Sequence, residues 1–534
     1  MDDYDFGNGA AGGLVRQSIT SFLSSANYTT VSVSNPNPSS IVHIRSLPVD
    51  EAVYDSASTR KAHTTYEYDS YTANLTPRSN IVGHDTTTSG APQPLHTTAY
   101  LTRGNVTKVT HWLLGTTDVA LSTRMQYDIA GNTLSSTDPL NQTTSFDFSD
   151  RFGIPNDEAT SNTVPAELNS NPQVASYAFA TLVTNAAGHT AYTQYDYYLG
   201  RPVNSQDANG IVAKGWYGKF EDGTYTDALD RPTELVVALN GGSAARRTRF
   251  TYNDASKIIT TQSDQTTLND GALKTEALYD ALGRTFETHA YESPSDYITT
   301  KQEFDGLGRV SRSYNPYRTT GDSTYGYTTT TYDGLGRVLT VTTPDIAVVT
   351  TMYSGSAITV TDQASKKRRS ITDGLGRLIR VDEPDSNGDL DTGTPPLPIQ
   401  PTSYTYDVLN NLVTVTQGTQ TPRRFAYDSL SRLIYAANPE QTTSSGLVFN
   451  SQQWAIKYDY DLNSSLTAKT DSRIDSLGHL LQVNYTYDLL NRVTMRSYSN
   501  DPSGTPMATY TYDAAGITNS IGRLTTVATN VSTT

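Results

Sequence analysis

The chain has no cysteine. That excludes disulfide staples, thiolate metal sites and cysteine nucleophiles. No apolar run is long enough to cross a bilayer as a helix, so no membrane span is expected. Leu- and Ala-rich stretches with helical periodicity are scarce, which argues against a helical bundle. Basic residues are outnumbered: 39 Lys and Arg face 54 Asp and Glu, for a formal charge of −15. A nucleic-acid partner would want a basic face, so none is expected. The start, Met1-Asp2-Asp3-Tyr4-Asp5-Phe6, has no basic stretch leading into an apolar one, and no signal peptide is visible. Zincin HExxH, nucleophile-elbow GxSxG and phosphate-loop GxxxxGK[ST] patterns are missing as well.

What the chain does have is tyrosine: 36 Tyr against 12 Phe and 3 Trp, in a background rich in Thr and Ser. Tyr and Thr favour strands and tolerate a half-wet surface. The composition predicts an all-β protein whose sheet faces are only partly dry.

One hexad recurs. YDALGR starts at Tyr279, FDGLGR at Phe304, YDGLGR at Tyr332 and TDGLGR at Thr372. Their shared residues are Asp280, Gly283 and Arg284; Asp305, Gly308 and Arg309; Asp333, Gly336 and Arg337; and Asp373, Gly376 and Arg377. Looser copies begin at Tyr127-Asp128, Tyr406-Asp407, Tyr427-Asp428, Tyr487-Asp488 and Tyr512-Asp513. Degenerate ones begin at Tyr195, Tyr252, Tyr353 and Tyr460. A spacing of roughly 20 to 33 residues suits one supersecondary unit per repeat.

The stretch TTTTYDGLGRVLTVTT, from Thr328, explains the unit. Alternating β-prone residues flank the hexad on both sides, which predicts two strands joined by a tight reversal. Asp333 accepts from backbone N–H groups two residues on, Gly334 and Leu335 take the central type I positions, and Gly336 supplies the left-handed residue of a bulged three-residue loop. Asn410 and Asn491 at the Gly336 position fit positive φ; Ser431 fits it less well. Arg337 is placed to meet Asp333 across the turn. Tyr332 is expected to stack on its counterpart in the next unit. Asn315-Pro316, Thr343-Pro344-Asp345, Glu383-Pro384-Asp385 and Asn438-Pro439-Glu440 then end strands at the other side of each hairpin. The sum is an antiparallel meander. A ribbon that long must twist and manage its edges, and coiling into a hollow shell does both.

The hexads resemble the YD repeat of the RHS family, which includes bacterial Rhs proteins, the B and C components of insecticidal Tc toxins, and teneurins. SYTYDVLNNLVTVTQGTQTPRRFAYDSLSRLIYAANPE, from Ser403, and NYTYDLLNRVTMRSYSND, from Asn484, are similar to such repeats, and YDFGNGAAGGLVRQ, from Tyr4, is similar to the segment preceding them. The resemblance implies a spiral β-shell of hairpin repeats, with residues 1–100 as a divergent start and residues 101–534 as the repeat array. It implies a secreted or cell-surface, non-catalytic wall enclosing or presenting a C-terminal or separately encoded toxin payload, with the remaining shell as partner. The self-cleaving core of some members is not expected, because Asp501-Pro502-Ser503-Gly504 is followed by Thr505 rather than Leu. The chain reads as a section of wall. An adhesion or carbohydrate-binding module, with glycans as partners, is the other reading, since exposed aromatic platforms suit sugar rings.

No cofactor is expected. Asp385, Asn387, Asp389 and Asp391 alternate like the first half of a calcium loop, but the glycine is misplaced for an EF-hand and Pro396 stands where the closing Glu belongs. Lys366-Lys367-Arg368-Arg369 reads as a solvated hairpin end. Asp2-Asp3, Asp157-Glu158 and Glu221-Asp222 read as solvated surface. His43, His63, His84, His96 and His111 show no metal spacing, and Asn27-Tyr28-Thr29 and Asn74-Leu75-Thr76 read as chance glycosylation triplets.

Overall fold

The computed structural model describes residues 1–7, 11–23, 46–71, 75–82, 103–238, 245–392, 397–398, 400–441, 447–449, 451–501 and 503–529. Every regular element among them is a β-strand. The strands form a 35-stranded sheet in which each pairs antiparallel with its neighbours along the chain. Two small hairpins stand outside it. Asp391–Thr392 with Leu397–Pro398 is skipped when Leu378–Glu383 pairs with Gln400–Tyr406. Leu447–Phe449 with Gln452–Trp454 is skipped when Leu433–Ala437 pairs with Ile456–Tyr460. Residues before and after position 100 share the sheet, because Arg60–Tyr68 pairs with Val106–Leu113.

The sheet is not closed. Asp2–Tyr4 pairs with Leu14–Phe22 and Leu524–Thr529 with Ala508–Tyr512, and the two ends do not meet. Most strand residues are half-buried, and among the described residues no central core gathers them. Apolar packing is local: Leu75, Ile81 and Ile129 form one cluster, and Ala436, Ala455 and Ile456 another. Between these, the faces are stitched by cross-strand hydroxyl pairs such as Thr331–Thr340 at 2.6 Å, Thr405–Thr414 at 2.6 Å and Thr486–Thr494 at 2.8 Å.

Hairpin turns alternate between the two edges of this ribbon. The hexads lie on one edge and the proline turns on the other, as at Tyr332–Arg337 and Thr343–Ala347. The proline turn at Thr343 uses the same loop as the hexad. In the hexad, Gly336 N–H donates to Asp333 C=O at 3.1 Å and Asp333 N–H to Arg337 C=O at 2.9 Å, with a register shift at Thr331/Tyr332. At the proline turn, Ile346 N–H donates to Thr343 C=O at 2.9 Å and Thr343 N–H to Ala347 C=O at 3.0 Å. The fourth-from-first position is left-handed throughout: Gly336 has φ +80°, Asn410 +69°, Ser431 +61°, Asn491 +58° and Ile346 +63°. Ser431 therefore occupies the left-handed well as its neighbours do.

This geometry separates two glycines of one hexad. Gly336 is left-handed, whereas Gly334 is not and a Cβ there meets nothing within 4 Å. Gly336→Val should cost more than ~1 kcal/mol of unfolding free energy, while Gly334→Ala stays near neutral. Urea midpoints of the two variants check this, and equal midpoints would contradict the turn assignment.

Candidate functional site: a ladder of turns

Each hexad turn is built around its aspartate. Asp333 Oδ1 accepts from the N–H of Leu335 and of Arg337, both at 2.9 Å, and Oδ2 receives Arg337 Nε at 2.7 Å. Asp280, Asp305, Asp373, Asp428 and Asp488 repeat the arrangement with Arg284, Arg309, Arg377, Arg432 and Arg492, each Nε lying 2.7 Å from the carboxylate. In the turn at Asp407, Asn411 Nδ2 takes the arginine's place at 2.9 Å.

The arginine also reaches forward. Arg284 lies over the Phe304 ring at 4.2 Å, Arg309 over Tyr332 at 4.5 Å, Arg337 over Tyr353 at 4.2 Å and Arg377 over Tyr406 at 5.2 Å. Arg432 over Tyr460 at 5.0 Å and Arg492 over Tyr512 at 4.3 Å continue the series. Arg309 Nη1 additionally donates to Asp333 C=O at 3.1 Å, and Arg377 Nη1 to Asp407 C=O at 3.0 Å. The tyrosine reaches back: the hydroxyl of Tyr332 donates to Val310 C=O at 2.7 Å, that of Tyr406 to Leu378 C=O at 2.8 Å and that of Tyr487 to Leu466 C=O at 2.6 Å. The expected stacking of hexad rings on one another is thus replaced. At those six rings a guanidinium from the unit before occupies the face, and no hexad ring pairs with another among the described residues. The sequence signal was available: an arginine closes the unit before Phe304, Tyr332, Tyr353, Tyr406, Tyr460 and Tyr512.

The ribbon also packs on itself. Gly374 N–H donates to Asp5 Oδ1 at 2.8 Å, across 369 residues. Arg16 Nη1 donates to Val408 C=O at 3.3 Å, across 392. Ser429 Oγ accepts from Leu114 N–H at 2.8 Å, across 315, and donates to Trp112 C=O at 2.9 Å. Asn463 Nδ2 donates to Asp138 Oδ2 at 2.6 Å across 325 residues, and Ile521 N–H to Asn209 Oδ1 at 2.8 Å across 312. In each case the later partner sits in a hexad-edge turn and the earlier one belongs to the opposite edge or a strand leading from it. The ribbon therefore winds into two layers, hexad edge on proline edge. Sequence reading missed Asp5, Asn209, Ser429 and Asn463, because partners some hundreds of residues apart leave no local signal.

The other candidate groups have structural partners. The 385–389 segment is one more turn of the same kind: Asp385 Oδ1 accepts from Asn387 N–H and Asp389 N–H, both at 2.9 Å, and Gly388 has φ +95°. Asp389 meets Lys367 Nζ at 3.3 Å, and the Asp391 side chain lies outside the described residues. Lys366 closes a turn, but Lys367, Arg368 and Arg369 lie in the strand Lys367–Thr372 rather than at a hairpin end. Arg368 pairs with Glu383 and Arg369 with Asp382, both at 2.8 Å, so the cluster is largely matched by acids of the neighbouring strand. Asp3 pairs with Arg16, Asp222 with Arg249, and Asp157 and Glu221 share the buried Lys214 at 3.0 and 2.7 Å. His63 meets Asp50 at 2.6 Å and His111 meets Thr64 at 3.1 Å. Asp501 closes its own turn on Ser503 and Thr505 N–H. Residues 27–29, Asn74, His43, His84, His96, Pro396 and Pro502 lie outside the described residues. An open cavity of about 1040 Å³ between the layers is lined by Phe425, Tyr427 and Trp454. Trp454 is only 4% exposed and packs on Tyr435 at 5.7 Å, so its indole is not a free platform for a sugar.

Two outcomes test the ladder. Arg309→Ala removes an ion pair and a cation–π contact and should cost about 1–2 kcal/mol. In a double-mutant cycle with Tyr332→Leu, a coupling of about 0.5–1 kcal/mol is expected, and zero coupling would exclude the stack. The second outcome concerns pH. The backbone N–H groups of Arg284, Arg309 and Arg337 hold Asp280, Asp305 and Asp333 below the usual carboxylate range; partial desolvation opposes this and the guanidinium adds to it. Depressed folded values mean stability that is complete above about pH 4 and is lost as pH falls further. The urea midpoint should be level from pH 7 to 5 and drop below pH 4, less steeply in Asp333→Asn; an unchanged midpoint at pH 2.5 would refute it.

A scan against protein-family models found no match, and a search of curated proteins found none. Solved structures do match. The crystal structure of TcdB2-TccC3 superposes with a TM-score of 0.62 at 13% identity, over 96% of this chain and 28% of that one. The Photorhabdus luminescens Tc holotoxin pore gives a TM-score of 0.39 at 13% identity, over 87% of this chain and 26% of that one. TcdB2-TccC3 without its hypervariable C-terminal region gives 0.37 at 14%, over 91% and 24%. The chain thus spans under a third of the length of these three chains. Its hexad turns, its open antiparallel ribbon and its winding give it the fold of the RHS/YD-repeat shell found in the Tc toxin TcdB2-TccC3.

Proposed function

We propose that this chain is a section of non-catalytic shell wall that encloses or presents a secreted payload polypeptide, encoded C-terminally or separately. Residues 1–100 begin the wall and residues 101–534 supply the repeat array. The observation that carries the reading is the docking of one layer of ribbon on another through Gly374–Asp5, Ser429–Trp112 and Asn463–Asp138. Layers of ribbon docked edge on edge make a wall that bounds a space. The chemistry supports the same role. The hexad carboxylates are committed to backbone N–H groups and arginines, which leaves them poor acids, bases or metal ligands. Secretion or display at the cell surface belongs to this reading, since a payload carrier works outside its cell.

Negative-stain images of the purified chain should show a curved wall or open shell with a solvent-filled interior. A compact, filled particle would remove the proposal.

A further inference from the structure

The hexad edge that docks in the second layer continues, undocked, through the first. Turns from Asp373 to Arg523 rest on the opposite edge of residues 5–209. The turns at Asp280, Asp305 and Asp333 make no such contact among the described residues. Their fourth hexad residue is nevertheless the same. Leu375, Leu409, Leu430 and Leu490 are half-buried in the docked row. Leu282, Leu307 and Leu335 are 77%, 75% and 80% exposed. The third position repeats the contrast. A Cβ on Gly374 would lie 2.8 Å from the Tyr4 carbonyl oxygen of the layer below, whereas on Gly306 and Gly334 it would meet nothing within 4 Å. A glycine admits close approach of another backbone, and among the described residues nothing approaches those two.

The receiving edge is open over an equivalent stretch. Thr343-Pro344-Asp345-Ile346-Ala347 is bonded as is Asp138-Pro139-Leu140-Asn141-Gln142, the turn on which Asn463 sits. Ile346 stands where Asn141 does and is 84% exposed. One molecule thus carries both halves of an interface it already makes once within itself.

We propose that the row of Leu282, Leu307 and Leu335 docks on the proline-turn edge around Ile346 of a second copy of this chain, head to tail. The contact continues the established layer-on-layer packing and hides exposed leucines that sit on one edge together with the exposed Ile346. It is heterologous, so copies add without closing and the wall lengthens by stacking. The inference rests on the wound-wall reading above, and its test is separate from that one.

Sedimentation velocity over a hundredfold range of concentration provides the test. The wild-type chain should shift from single chains to multimers as concentration rises. Leu282→Asp/Leu307→Asp/Leu335→Asp, which alters only exposed side chains, should stay single, as should Ile346→Asp. Mixed together, the two variants retain one good edge each and should form a dimer that grows no further. Matching circular dichroism spectra establish that the variants fold. A wild-type chain that stays single throughout, multimers that survive the triple substitution, or a mixture that fails to pair or grows past the dimer would each overturn the proposal. Single chains that still image as a curved wall would sink this inference alone; a filled particle that associates would sink the shell reading instead.

Discussion

A carboxylate in the hexad turn organises each repeat. Asp333 and its equivalents satisfy two N–H groups of their own turn and fix the arginine four residues on. Once held, that guanidinium is presented to the next hairpin, where it covers the ring of the following Phe304 or Tyr332. The tyrosine hydroxyl then returns a bond to the previous hairpin's strand. Turn formation and the coupling of neighbouring hairpins therefore share one residue. Where Asn411 replaces arginine, the turn survives through Nδ2 and reaches the next unit through Ser431 Oγ at 3.1 Å instead.

Such a molecule is stabilised along its length rather than at a centre. Apolar clusters are few, and threonine pairs and half-buried faces fill the spans between them. Each hairpin contacts its neighbours in the chain and, after one winding, an edge of the layer below. That is the energetics of a repeat array, with nearest-neighbour terms summed along one dimension. It also explains why acidic and basic groups that resemble reactive sites in the sequence have structural partners. Asp385, Lys367 and Arg369 each complete a turn or a strand pair.

The hexad turn was legible because its information is local. Aspartate, a left-handed fourth residue and arginine lie within six positions, so loop type and register follow from residue chemistry. The proline segments mark turns in the sequence but not their loop type; Thr343–Ala347 forms the hexad's loop with Ile346 left-handed, which a β-branched residue does not advertise. The aspartate-rich 385–389 stretch looked like a cation loop for the same reason that it is a turn: both need an Asp accepting at short range. The basic run from Lys366 was placed at a hairpin end, although cross-strand acids at Asp382 and Glu383 let Arg368 and Arg369 continue into a strand.

The sequence by itself determined that this is a ribbon of antiparallel hairpins, where each hexad turn falls, and that arginine and aspartate meet within it, because every one of those interactions closes inside a few residues. Only the tertiary structure decided which ring each arginine covers, that Asn463 meets Asp138 and Ile521 meets Asn209, and that Leu335 stays exposed while Leu409 is half-covered. Those pairings depend on the twist accumulated over more than three hundred residues, and small angles summed over many strands are written in no single motif.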